Sequence, residues 1–292
     1  MIPLCKFLQV EGDVIPSVVE EMVTVDGLRL RYWDAGDGPP VVLVHGIGAS
    51  LEYWRFTVGA LAREHRVLAI DLPGFGFSER GPKIPTLAET ADLMVGFLDA
   101  LGLERASFIG NSLGGLICLE TALRHPNRLD RLILSDSAGL GREVSFFWRL
   151  VAIPVVGSAL IELNRWLALR GWINLFYQPQ GSEPELVERC QKWVARSDLT
   201  DTIVGAARSG VDLRGQRSEI VRVEQLARLD VPTLLVWGRD DWVIPPSHGE
   251  VAQRLMPNAR LVFIDRCGHC PQLERPAAFN EIASAFLMEA RR

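Results

Sequence analysis

The stretch Gly110-Asn111-Ser112-Leu113-Gly114, followed by Gly115, decides the fold of this 292-residue chain. An apolar run, residues 106–109, precedes it and a helical pattern follows it. A serine between two glycines at a strand-to-helix turn is typical of a nucleophile elbow. The glycines keep side chains out of a sharp turn, and the helix N-terminus offers free N–H groups. The sequence therefore predicts a nucleophilic Ser112; the alternative is an ordinary serine in a glycine-rich turn.

Short apolar runs of the same kind recur along the chain and alternate with helical patterns. The predicted strands are residues 21–25, 28–33, 41–44, 67–70, 106–109, 132–134, 233–237 and 261–264, and the predicted helices are about 53–64, 86–101, 113–125 and 277–289. Thr86 and Glu89 form a capping-box pattern at the start of the second helix. Strands separated by crossover helices predict an α/β fold with a mostly parallel central sheet flanked by helices. The turn Asp26-Gly27 predicts that the first two strands pair antiparallel.

The alternation of strands and helices stops between residues 141 and 224. This segment contains four of the eight tryptophans and reads as several short amphipathic helices broken by proline and glycine, with no strand. It is far longer than an ordinary strand crossover, which favours an inserted helical cap over extra core helices. The predicted domains are therefore a core made of residues 1–140 and 225–292 and a cap made of residues 141–224.

The composition limits the classes of protein that this chain can belong to. The 31 basic and 36 acidic side chains give a formal net charge of −5, and 48% of the residues are hydrophobic. This balance excludes intrinsic disorder and disfavours nucleic-acid binding, which needs surplus Lys and Arg. The uncharged stretch 150–161 is shorter than the roughly 20 residues of a membrane span, and the N-terminus lacks a signal-peptide pattern. We therefore expect a cytoplasmic protein without a membrane span.

The cysteines predict neither a disulfide framework nor a metal site. Their number, five, is odd and they are scattered along the chain. Cys267 and Cys270 have the Cys-x-x-Cys spacing, but no second Cys or His pair exists to complete a zinc site. Nothing resembles a nucleotide-binding loop either, so the sequence implies no metal and no cofactor.

A nucleophilic serine needs a base, and the base needs an acid to orient it. The histidines are His45, His65, His125, His248 and His269. We favour His269 as the base because it follows the last strand, at the sheet edge where active sites of parallel sheets form. Asp240 and Asp241, after the preceding strand, compete for the acid, and Asp136 is a third candidate.

Several motifs together resemble the α/β-hydrolase family with a helical cap, over essentially the whole chain. They are His45-Gly46-Ile47-Gly48, residues 71–78, Gly110 to Gly115, Gly238-Arg239-Asp240-Asp241 and Cys267-Gly268-His269. The resemblance implies a Ser112, Asp241 and His269 triad, since the family's acid stands three positions after the glycine. It also implies an oxyanion hole made by the backbone N–H groups of Ile47 and Leu113. His45 then becomes a residue that orients its loop.

The resemblance leaves two enzymatic functions and one other open, all with a small-molecule ligand. Ser112 excludes the haloalkane dehalogenases and epoxide hydrolases, which carry aspartate there. We place first a carboxylesterase for small or medium apolar esters. The alternative is a hydrolase that cleaves a carbon–carbon bond in vinylogous diketone products of aromatic ring opening. The third is a non-catalytic small-molecule receptor.

Some residues favour the carbon–carbon hydrolase and others favour the esterase. Asn111, the stretch 138–141 and the cap residue Arg189 resemble the carbon–carbon hydrolases, and there Asn111 and Arg189 would bind substrate. The residues 47–50 and Cys270, where that group usually has a richer glycine loop and a tryptophan, depart from it. The sequence leaves open whether the chain forms a homo-oligomer.

Overall fold

The computed structural model describes residues 17–169 and 184–289. Their main feature is an eight-stranded sheet with the order β1-β2-β4-β3-β5-β6-β9-β10. The strands are β1 Val19–Val25, β2 Leu28–Ala35, β3 Pro40–Val44, β4 Arg66–Ile70, β5 Ala106–Asn111, β6 Leu129–Ser135, β9 Thr233–Gly238 and β10 Ala259–Ile264. Only β2 runs against its neighbours, and every pairing from β4 to β10 is parallel. The predicted fold class is therefore confirmed.

Helices cover both faces of this sheet. They are α1 Arg55–Leu61, α2 Leu87–Ala100, α3 Leu113–Arg124, α4 Phe146–Val151, α5 Pro154–Leu169, α6 Pro184–Val194, α7 Leu199–Gly210, α8 Ser247–Leu255, α9 Pro271–Glu274 and α10 Pro276–Leu287. In β3, Val41 and Leu43 belong to the core under α1 and α10, while Val42 and Val44 belong to the core under α2, α3 and α8. Alternate residues of a strand point to opposite faces, so a run buried on both sides must be aliphatic throughout.

Local signals explain where the second helix begins. The Thr86 hydroxyl accepts the N–H of Glu89, and the Glu89 carboxylate accepts the N–H of Thr86 at 2.8 Å. This reciprocal capping box satisfies two N–H groups that the first helical turn leaves free, as the sequence predicts. The turn Asp26-Gly27 has positive φ at both positions, and it joins β1 and β2 as a tight antiparallel hairpin.

The structure differs from the sequence prediction in three places. The predicted helix 53–64 is a 3₁₀ turn, Leu51–Trp54, followed by the shorter α1. The sequence did not reveal α8, a short polar helix that begins after two prolines. The expectation of no strand within 141–224 is wrong, because β7 Val211–Asp212 and β8 Gly215–Gln216 form a small hairpin. Two-residue strands are too short to leave a periodic pattern in the sequence.

The helices α4 to α7 lie between β6 and β9 in the chain, and residues of α7 and of the segment before it contact the loop that follows β4. Arg196, after α6, donates from Nη1 to the carbonyl oxygens of Gly76 and Ser78 at 2.8 and 2.9 Å. Thr202 of α7 lies so close to Gly74 that a Cβ there would come within 2.9 Å of its methyl group. This part of the segment therefore lies against the loop at the carboxyl end of β4. Among the described residues, no helix combines the length and apolar character needed to cross a bilayer.

Candidate active site

Ser112 occupies a strained turn between β5 and α3. Its φ and ψ are 57° and −117°, a conformation that residues with a side chain rarely adopt. The turn needs glycine on both sides: a Cβ on Gly110 would lie 2.3 Å from the carbonyl oxygen of Gly114, and a Cβ on Gly114 would lie 2.1 Å from that of Val44. The sharp strand-to-helix geometry of a nucleophile elbow is thus present at Ser112.

Hydrogen bonds to neighbouring segments hold this turn in place. The N–H of Ser112 donates to the carbonyl oxygen of Ser135 at 3.0 Å. The carbonyl oxygen of Ser112 accepts the N–H groups of Leu116 and Ala138, each at 3.1 Å. The strained backbone is therefore fixed by α3 and by the end of β6, which positions the serine at the carboxyl edge of the sheet.

Asp241 and His269 are brought together at the same edge. Asp241 follows β9 in a turn closed by its own N–H to the carbonyl oxygen of Gly238. Its Oδ1 accepts the N–H groups of Val243 and Ile244 at 2.7 and 3.1 Å, and its Oδ2 lies 2.8 Å from Nδ1 of His269. Asp240 is exposed and has none of these contacts. Of the two adjacent carboxylates, Asp241 is the one that can orient the imidazole.

The loop that carries His269 is fastened from both sides. The Glu274 carboxylate, at the end of α9, accepts the N–H of Gly268 at 2.8 Å and that of Cys270 at 3.0 Å. Sequence reasoning missed Glu274, and its only signal is an acidic residue in the short helix after the histidine. A carboxylate that accepts two flanking N–H groups fixes the backbone of His269 without touching its ring.

Asn111, which the sequence predicts to bind substrate, links the end of β5 to the histidine loop. Its side chain is buried, and its Nδ2 donates to the carbonyl oxygens of Ser135 and His269 at 3.2 and 3.0 Å. The amide group is therefore engaged within the protein, where it ties the end of β5 to the histidine loop. We interpret Asn111 as a residue that positions the base and not as a substrate contact.

The two residues that the resemblance assigns to an oxyanion hole, Ile47 and Leu113, lie in segments beside Ser112. Ile47 and Gly48 are the central residues of a turn closed from Ala49 N–H to Gly46 O, which leaves the N–H of Ile47 outside the closing bond. A Cβ on Gly46 would lie 3.2 Å from Cβ of Ser112, so this turn passes directly beside the serine. Leu113 is the first residue of α3, and the N–H groups of a first helical turn have no acceptor within the helix.

His45 supports this turn and is not a second base. Its ring is fully buried, its Nε2 accepts the N–H of Leu72 at 3.0 Å, and its Nδ1 donates to the carbonyl oxygen of Gly46 at 2.8 Å. Because a backbone N–H can only donate, Nε2 must be unprotonated and the ring neutral. Burial lowers the pKa of His45 to about 4.

Arg189 lies at the contact between α6 and the first strand. Its Nη2 forms an ion pair with Glu20, and its Nε lies 3.7 Å from the buried Glu52. Glu52 in turn pairs with the buried Arg31. None of the contacts described for Arg189 is to a triad residue. This guanidinium, which would hold a substrate carboxylate in the carbon–carbon hydrolase alternative, is paired with carboxylates of the protein in this structure.

The group most capable of holding a metal ion, within the described part of the chain, is formed by Asp136, Asp241 and His269. One ligand atom from each lies within 4.8 Å of the others. The 2.8 Å separation of His269 Nδ1 and Asp241 Oδ2 is that of a hydrogen bond, so the two groups satisfy each other directly. The chemistry of this donor set fits an oriented imidazole better than a metal centre.

A cavity opens beside the elbow, between α3 and α7. Its walls come from Leu113, Leu116 and Ile117 of α3, Ala206 of α7 and the loop after β4, and its polar side chains are Thr90, Thr202 and Ser209. No residue that lines it carries a charge. Ser112 itself does not line the cavity, and Leu113 is the lining residue that follows it in the chain. Such a cavity suits an uncharged apolar group.

Comparisons with known proteins agree with this geometry. The chain matches the sequence profile of the alpha/beta hydrolase fold over residues 39–276, and it belongs to that family. It is 30% identical to the 2-hydroxymuconate semialdehyde hydrolase of Pseudomonas sp. strain CF600, in a match that covers 94% of this chain and 95% of that protein.

Solved structures of two hydrolases are also similar. The 2-hydroxy-6-oxo-6-phenylhexa-2,4-dienoate hydrolase of Rhodococcus sp. strain RHA1 matches with a TM-score of 0.78 at 25% identity, over 94% of this chain and 100% of that one. A thermophilic esterase of Thermogutta terrifontis matches with a TM-score of 0.71 at 25% identity, over 92% and 98%. The relatives thus include both reaction classes.

Proposed function

We propose that the protein is a serine hydrolase that works through an acyl-enzyme on Ser112. His269, oriented by Asp241, takes the hydroxyl proton as Ser112 attacks a carbonyl carbon, and later returns it to the leaving group. The N–H groups of Ile47 and Leu113 bind the oxyanion of the tetrahedral intermediate, where one donor typically contributes about 3–4 kcal/mol. The observation that carries this proposal is the 2.8 Å His269–Asp241 hydrogen bond on a loop that Asn111 ties to the elbow.

We further propose that residues 141–224 form a cap over a core of residues 1–140 and 225–292. Support comes from the cavity, whose walls combine Leu113 beside the nucleophile with Ala206 of α7. A cap in this position excludes water from the acyl-enzyme and shapes the pocket for the substrate.

Carboxylic esters with small or medium apolar groups are the substrate class that the cavity favours. Its lining residues offer aliphatic contact and hydroxyl groups but no cation. The ion pairs of Arg189 with Glu20 and Glu52 also speak against a free carboxylate clamp in the cap. A neutral ester requires no such clamp.

Carbon–carbon bond cleavage in a ring-opening product remains the second candidate because of the relatives. A relative that is 30% identical over 94% of the chain is a semialdehyde hydrolase, and a structural neighbour acts on a phenyl-substituted dienoate. For this function, Arg189 would have to exchange Glu20 for the substrate carboxylate.

A substrate panel tests both candidates. Purified protein is assayed on p-nitrophenyl esters from acetate to octanoate and on one 2-hydroxy-6-oxo-dienoate, with Ser112→Ala as the matched control. We expect ester hydrolysis that rises with acyl length, little dienoate turnover and no activity in the variant. Efficient dienoate cleavage with weak ester hydrolysis would reverse our order, and ester hydrolysis that survives in Ser112→Ala would refute the assignment of the nucleophile.

A further inference from the structure

A second buried carboxyl, Asp136, lies beside the Asp241–His269 pair. It follows β6 directly, its φ is +45°, and it is fully buried. One oxygen of Asp136, one of Asp241 and a ring nitrogen of His269 lie within 4.8 Å of one another. The mechanism above gives Asp136 no task, yet a buried ionisable side chain on a left-handed residue costs stability. Such a residue at the catalytic edge of the sheet calls for a function.

The hydrogen-bond donors around the two carboxyls differ in kind. Oδ1 of Asp136 accepts the N–H of Gly238 at 2.9 Å, and its Oδ2 accepts the hydroxyl of Ser135 at 3.0 Å. Asp241 accepts two backbone N–H groups at Oδ1, and its Oδ2 lies 2.8 Å from the ring nitrogen of His269. Two carboxylates can only accept, so a hydrogen bond between them requires a proton on one of them. One of the two donors at Asp136 is a hydroxyl that can rotate away, which makes Asp136 the carboxyl that can hold the proton.

The balance of charge leads to the same assignment. If both carboxyls were ionised beside a neutral His269, two negative charges would be buried together. The hydrogen bonds and ion pairs of the described residues give Asp136 no Lys or Arg partner. The neighbouring thiols of Cys267 and Cys270 supply no cation either, and burial raises the pKa of both. Burial and the charge of Asp241 together raise the pKa of Asp136 well above its ordinary value.

We propose that Asp136 is a neutral carboxylic acid that donates a hydrogen bond to Asp241 and so acts as a positioning residue for the Asp241–His269 pair. It fixes the rotation of the Asp241 carboxylate and adds no charge. When His269 becomes an imidazolium during catalysis, the buried group of three is then neutral overall. This role rests on the proposed triad, but the protonation state can be measured without turnover.

The direct test is an infrared difference spectrum between the wild type and Asp136→Asn at pH 7. Asparagine suits this position, because it tolerates positive φ and is neutral. We expect the wild type to show the carbonyl band of one protonated carboxyl that the variant lacks. If the variant instead lacks a carboxylate band that the wild type shows, Asp136 is ionised and the proposal is overturned. Because no substrate is needed, this result is independent of whether the protein hydrolyses esters.

Kinetics separate positioning from a purely structural role. An asparagine at position 136 can accept from Gly238 with its oxygen and donate to Asp241 with its amide, so Asp136→Asn should keep kcat/KM within about threefold. Asp136→Ala removes both bonds and should lower kcat by about 10- to 100-fold at nearly constant KM. The rate of inactivation by a fluorophosphonate gives the same comparison for any substrate class. Full activity of a folded Asp136→Ala variant would overturn the positioning role.

The pH profile distinguishes a neutral from an ionised Asp136. Removal of a neutral acid leaves the charge near His269 unchanged. In Asp136→Asn, the acid limb of the pH profile of kcat/KM should therefore move by less than about 0.3 pH unit. Removal of a negative charge would lower the pKa of the imidazole, and a limb displaced to lower pH by a full unit would refute the proposal.

Discussion

The Asp241→Asn variant tests the triad most sharply, because the structure dictates how the new amide must lie. The N–H groups of Val243 and Ile244 approach Oδ1 at 2.7 and 3.1 Å, so the amide oxygen has to remain there. The amide NH₂ then faces Nδ1 of His269 at the position now 2.8 Å away. A donor at that position selects the tautomer with the proton on the other ring nitrogen, which can no longer accept the proton of Ser112.

The loss of activity depends on how much free energy it costs to rotate the side-chain amide into the opposite orientation. Rotation of the amide would restore the tautomer but turn NH₂ against two buried N–H groups. Each unsatisfied buried group costs about 1–3 kcal/mol, so rotation costs about 2–6 kcal/mol. At about 1.4 kcal/mol per decade, kcat/KM should fall by roughly 30- to 10⁴-fold.

The assay compares kcat/KM for p-nitrophenyl butyrate in Asp241→Asn and in the matched control Asp240→Asn. Asp240 is exposed, so its variant should stay within about twofold of the wild type. Thermal unfolding of both variants verifies that they fold. The reasoning fails if Asp240→Asn is the damaged variant, or if Asp241→Asn retains a third of the activity.

Three further outcomes are expected. In the favoured esterase, Arg189→Ala should change kcat/KM for p-nitrophenyl butyrate by less than about threefold, whereas a loss of tenfold or more on a dienoate would support the second candidate. Apolar burial predicts that kcat/KM rises about fourfold for each methylene added to the acyl chain of the ester. Ala206→Trp should fill the cavity and abolish this gain, while hydrolysis of the acetate ester persists.

The third outcome concerns acid stability, which denaturant titrations measure. The folded pKa of His45, about 4, is below the unfolded value of 6.5, so its contribution is complete above pH 6.5 and is lost as the pH falls towards 4. Over that window the wild type should lose about 3 kcal/mol more free energy of unfolding than His45→Gln. Equal slopes for the two proteins would contradict a buried neutral His45.

The sequence predicted the sheet and the elbow because their signals are local. The aliphatic run in β3, the glycines around Ser112 and the capping box at Thr86 each act on residues within a few positions. The choice of Asp241 over Asp240 came from the resemblance, because the family's acid stands three positions after the glycine, here Gly238. A turn of fixed length places its carboxylate whatever the rest of the chain does.

What the sequence could not show are contacts between distant segments. Asn111 and His269 are 158 positions apart, and Asp136 and Gly238 are 102 apart. No periodicity in the sequence indicates such pairs, so the sequence could not show that Asn111 bonds to the His269 loop or that Asp136 bonds to Gly238. The pairing of Arg189 with Glu20 could not be predicted for the same reason, since Glu20 lies in the first strand.

The bond from Asn111 to the His269 loop has a consequence for how such a protein can diversify. Ser112 and His269, the proposed nucleophile and base, are linked through the end of β5 and not through the helices that line the cavity. Mutations in α7 can therefore reshape the pocket without disturbing the distance over which the proton travels. Substrate preference can therefore evolve through substitutions in α7, while the residues proposed to carry out the reaction keep their positions.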